Sequence, residues 1–166
     1  ANQRLVIDNS RAEIRDAVLE VQNFRPPDEK EIIFQSTRGV ESFGVNLETG
    51  RLTNYSLTED KHEEPEGIYP DGRYTLVESD REAGFGQWPA NIDIYRLALD
   101  GSGKTDRLTF FAEDGHYIGD NPVVSDDGRF IAFQVSKAGG EAGVGDGIFI
   151  YDIEAAEKAK AYPPDQ

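Results

Sequence analysis

The sequence predicts an all-β protein: about three four-stranded propeller blades, forming a ring that this chain does not complete by itself. The first observation behind this is a repeated hairpin, "EGIYPDGRYTLVE" at 66–78 and "NPVVSDDGRFIAFQV" at 121–135. The second is spacing. Glu29, Gly72 and Gly128 hold matching turn positions, 43 and 56 residues apart, and the shorter interval is that of one four-stranded blade. The third is composition: the runs between turns are rich in Ile, Val, Phe and Tyr and punctuated by Gly, Asp, Asn and Pro, as strands and hairpins are.

Each copy decomposes in the same way. A short strand, Pro122 to Ser125 in the third copy, leads into the turn. A second strand follows it: "EIIFQS", "RYTLVES" or "RFIAFQV". After a loop comes a third, "SFGVNL", "DIYRLAL" or "GIFIYDI", and in the first two copies a fourth, "RLTNYS" or "DRLTFF". Apolar residues on both parities, as at Phe130, Ile131 and Phe133, predict sheets covered on both faces. The front, "RLVIDNSRAEIRDAV", reads as two strands around an Asn-Ser turn, and "VLEVQNF" as the inner strand of the first copy. The third copy ends in "EAAEKAKA", which reads as one or two helical turns and leaves that blade with three strands. The expected division is therefore 1–17 as outer strands of a preceding or swapped blade, 18–58, 59–111 and 112–153 as blades, and 154–166 as a short helix and tail. A small β-sandwich that happens to contain repeats is the alternative.

At 166 residues the chain can bury one substantial core. Its 32 acidic against 17 basic residues give a formal net charge of −15, which disfavours nucleic acid and anionic membrane surfaces and suits divalent cations and basic protein partners. The absence of cysteine excludes disulfides, thiolate nucleophiles and cysteine-type zinc sites. No apolar run reaches the roughly 20 residues that span a bilayer, and no signal peptide remains at the start, where "ANQ" reads equally as a mature terminus left by processing or as a chosen boundary.

The repeats resemble the WD40-like propeller repeats of the TolB type. The matching residues are Pro70-Asp71-Gly72-Arg73, Asp126-Asp127-Gly128-Arg129 with Ile131-Ala132-Phe133, Ile94-Tyr95, Leu108-Thr109 and, in the degenerate first copy, Leu52-Thr53. The resemblance covers about 18–153 and implies a propeller, a periplasmic or secreted location with the cytoplasm left open, and a role in binding protein or peptide. The alternative it implies is a metal-dependent lyase or hydrolase with its site at the channel mouth, and the second alternative is the gating domain of a peptidase assembly. Three blades fall short of the four to eight of a closed propeller. Completion by a second copy or a complementary fragment is therefore expected.

Propeller topology places the fourth-to-first and second-to-third connections together around the channel, away from the repeated hairpin turns. Two fourth-to-first connections carry Glu-Asp-x-His: Glu59, Asp60 and His62, and Glu113, Asp114 and His116. The two histidines are expected at equivalent places, where with Glu63, Glu64 and Asp120 they are candidate contacts for a bound protein or peptide and could alternatively hold a divalent metal ion. The first copy offers no histidine there, only Asp16 and Glu20. The loop "SDREAGFGQWPAN" adds Phe85 and Trp88, aromatic anchors for a peptide or sugar ring. The other loop, "GGEAGVGDG", lies between two strands and so lacks the helix a phosphate loop needs. No Gly-x-Ser-x-Gly elbow, EF-hand spacing or sialidase-type Asp box is present, so no catalytic residue is assigned.

Overall fold

Each predicted repeat folds into its own antiparallel sheet. The computed structural model describes residues 3–37, 40–58, 60–82, 91–113, 115–141 and 143–161. The first sheet holds β1 (Leu19–Phe24), β2 (Glu31–Ser36), β3 (Glu41–Asn46) and β4 (Leu52–Asn54), in that spatial order. The second holds β5 (Glu63–Ile68), β6 (Tyr74–Ser79), β7 (Asp93–Ala98) and β8 (Thr105–Arg107). The third has β9 (Tyr117–Val124), β10 (Phe130–Lys137) and β11 (Gly147–Asp152), followed by helix α1 (Ile153–Ala161). Successive sheets meet along their inner strands, β1 against β5 and β5 against β9, so the arrangement is three blades side by side, not two sheets of a sandwich. The ring is not closed.

The hairpin turns are alike because they are built by the same bonds. Asp28, Asp71 and Asp127 each accept, on Oδ1, the backbone N–H two residues on, at 3.2, 2.9 and 3.0 Å. The next residue is left-handed in all three turns, with φ of 54° at Glu29, 66° at Gly72 and 72° at Gly128. Glycine is demanded most strongly at Gly72, where a Cβ would lie 1.8 Å from the Pro26 carbonyl oxygen.

Alternation along the strands makes the cores. On β6, Val77 faces the first blade, with Ile33, Tyr95 and Leu97, while its neighbour Leu76 faces the third, with Ile94, Ile131 and Phe133. Apolar residues on both parities are therefore needed, as the sequence predicts. The front departs from expectation: residues 3–18 contain no strand, only a 3-10 turn at Ala12–Ile14. No neighbouring strand is there to complete a ladder, and Ile7 and Ile14 instead cover the outer face of the first blade at Ile32, Phe34, Phe43 and Val45.

The register also revises one repeat match. Tyr95 pairs with Arg107 and Phe43 with Asn54, so Leu108-Thr109 corresponds to Tyr55-Ser56, three residues after Leu52-Thr53. The hydroxyls confirm it: Thr109 Oγ1 accepts the Ile94 N–H at 2.9 Å, and Ser56 Oγ accepts the Ser42 N–H at 3.1 Å. This position ties the outer strand to the third strand.

The far face of the third blade is bare. Ile33, Leu76 and Ala132 share one register position, and the first two are sealed against the next blade. Ala132 instead lines an open groove with Val123 and Ile150. On that blade Val123 is 58% exposed, Ile148 82% and Ile150 72%.

Candidate functional site on the inner strands

Three ladder pairs define one rung across the blades. Glu20 of β1 lies opposite Gln35 of β2, Glu64 of β5 opposite Glu78 of β6, and Asp120 of β9 opposite Gln134 of β10. Each innermost strand thus carries a carboxylate at the same level, and each second strand a carboxylate or carboxamide. Between the second and third blades, Glu64, Glu78 and Asp120 of this rung border a cavity of about 170 Å³. Glu64, Glu66, Glu78, Asp120 and Glu141 line it, and Lys137 is the basic residue among the lining side chains.

Burial and crowding leave Glu66, Glu78 and Asp120 reluctant to ionise. Burial first, then the charges of Glu64 and Glu20, push Glu66 up to about 7. Burial likewise pushes Glu78 up to about 8, with Glu64, Glu66 and Asp120 adding to the effect and the Asn121 N–H, which Glu78 accepts, opposing it. Asp120 is raised by burial, against which the Ser136 hydroxyl, donating at 3.1 Å, helps hold the charged form.

The sequence-predicted residues part company here. Glu64 and Asp120 lie in the cavity wall. Glu63 alternates away from Glu64, is fully buried, and receives the Arg81 guanidinium at 2.7 Å and the Ser79 hydroxyl at 3.3 Å. Burial raises its carboxyl while Arg81 works the other way. His62 is 7% exposed, with Nε2 3.2 Å from Glu64 Oε2. His116 is exposed and lies outside that group, its carbonyl accepting the Ala138 N–H at 2.9 Å. The two histidines are 54 residues apart whereas the blades are offset by 56, so the residue matching His62 is Ile118. Equivalence of the histidines is therefore corrected: one rung separates them. Phe85 and Trp88 lie outside the described residues.

Sequence reasoning missed Glu78 and Glu66. One signal was available for the first: aligned on the turn residues, Gln35, Glu78 and Gln134 occupy one repeat position.

The crystal structure of TolB from Acinetobacter baumannii superposes with a TM-score of 0.57 at 23% identity, over 84% of this chain and 30% of that one. The fold is TolB-like. A structure from an analysis of two prolyl endopeptidases superposes with a TM-score of 0.61 at 14% identity, over 89% of this chain and 24% of that one. The chain thus spans less than a third of either TolB or the endopeptidase. No family model and no curated protein matches it. No helix among the described residues is long and apolar enough to cross a membrane.

Proposed function

We propose that this chain is part of a TolB-like propeller that works as a binding module, taking a protein or peptide through a cationic group at the acidic cavity. The observation that carries this is the rung of Glu20, Glu64 and Asp120, backed by Glu66 and Glu78. Carboxyls held this close in a partly enclosed site favour a positive charge, and a Lys or Arg side chain brings one together with apolar length. Phe85 and Trp88 are proposed to flank the site as apolar anchors, and the location is proposed to be periplasmic or secreted. The test is titration with a Lys/Arg-rich peptide and a Glu-rich one of equal length. Binding of the basic peptide alone, weakened by salt, by Asp120→Asn and by Trp88→Ala, supports the reading; equal affinity for both peptides overturns it.

The ring is proposed to be completed by another stretch of polypeptide, a second copy or a complementary fragment. Support comes from the third blade, where Ala132 lines an open groove although its counterparts Ile33 and Leu76 are sealed against the next blade. Native mass decides between sources: twice the chain mass indicates a second copy, and a co-purifying fragment the other. A monomer that stays soluble at high concentration overturns completion in trans.

A further inference from the structure

We propose that His62, Glu64 and Glu78 form a binding site for one first-row divalent metal ion, Zn²⁺ or Mn²⁺, at the edge of the acidic cavity. This site does not depend on the peptide reading above. The donors converge for simple reasons of strand geometry. His62 and Glu64 are two residues apart on nearly extended chain, so they project to one side, and Glu78 is the cross-strand partner of Glu64. One donor atom from each lies within 4.8 Å of the others, and His62 Nε2 is 3.2 Å from Glu64 Oε2. Ligands at about 2.0–2.2 Å around one tetrahedral ion stand about 3.3–3.6 Å apart, so small side-chain rotations would complete the set. An imidazole with two carboxylates is a donor mixture that suits zinc or manganese, and the adjoining cavity leaves room for water at the remaining positions.

Two further observations point to an ion. Two carboxyls directly opposite on a ladder can ionise together only at a cost, yet Glu64 faces Glu78, and Glu78 is only 4% exposed. The fold does not need this arrangement. In the other blades Val18 and Ile118 stand where His62 stands, and Gln35 and Gln134 where Glu78 stands, and those blades form the same rung. The imidazole and the buried carboxylate therefore occur together in one blade of three. His62 is also held in place: its backbone N–H donates to Asp80 Oδ1 at 2.8 Å, and Asp80 is itself buried.

The experiment is equilibrium dialysis and calorimetry of the chelator-stripped chain with Zn²⁺, Mn²⁺ and Ca²⁺. One Zn²⁺ or Mn²⁺ per chain is expected, weakened roughly tenfold or more by His62→Ala and by Glu78→Gln, and unaltered by His116→Ala. Failure to bind a stoichiometric ion overturns the proposal. So does equal binding of Ca²⁺ with no effect of His62→Ala, which would mark only counter-ions on an acidic wall. Should a variant fail to fold, the unmutated chain still decides: Mn²⁺ must broaden the His62 ring resonances ahead of those of His116, and broadening of both alike refutes the site.

Discussion

Glu78→Gln is the perturbation that tests the electrostatics of the cavity most directly. The side chain is 4% exposed, and burial with the charges of Glu64, Glu66 and Asp120 lifts its carboxyl from 4.5 to about 8. A raised carboxyl favours folding fully only below its unfolded value, where both states hold the proton. As pH rises from about 4.5 to about 8 the unfolded chain ionises first, and stability is lost until the folded group ionises too. At 1.36 kcal/mol per pH unit that window corresponds to at most on the order of 5 kcal/mol. Glutamine removes the penalty while keeping an oxygen for the Asn121 N–H, and Gln35 and Gln134 show that the rung accepts it. In chelator, the variant should match the native chain near pH 4.5 and exceed it by about 2–4 kcal/mol above pH 8, read from urea unfolding across the range. A stability difference that does not change with pH, or a variant less stable throughout, would refute the reasoning.

Other consequences are simpler to measure. Leu76→Ala opens a cavity between the second and third blades and should cost about 2–5 kcal/mol in denaturant unfolding. Gly72→Ala meets the Pro26 carbonyl as well as a left-handed backbone, and should cost about 3 kcal/mol or more. Gly128→Ala, whose added Cβ would sit 3.3 Å from Pro70 Cδ, should cost nearer 1 kcal/mol, and equal losses at the two turns would contradict the close approach. Ile148→Lys with Ile150→Lys changes side chains that are already in water, so the isolated chain should keep its stability within about 1 kcal/mol. The same pair should abolish any higher-mass species, because the bare face would then present two charges to an incoming blade.

The sequence by itself determined the strands, the turns and the repeat. Those features are local: aspartate capping its own turn at Asp28, Asp71 and Asp127, a left-handed residue after it, and apolar residues on both parities wherever a sheet is covered twice. It also pointed to the channel, and not to the repeated turns, as the place to look for a site, and named Glu64, Asp120 and His62 among the candidates. Tertiary structure decided the rest. Short degenerate motifs mislead by a few residues, and on a ladder two residues are a full rung; hence His116 is separated from His62, and Leu52-Thr53 gives way to Tyr55-Ser56. Glu63 and Glu64 are adjacent in sequence, yet pleating sends one to Arg81 and the other to the cavity. Glu78 lies fourteen residues from Glu64, and only the antiparallel register, set across the β5–β6 hairpin, places the two carboxyls face to face.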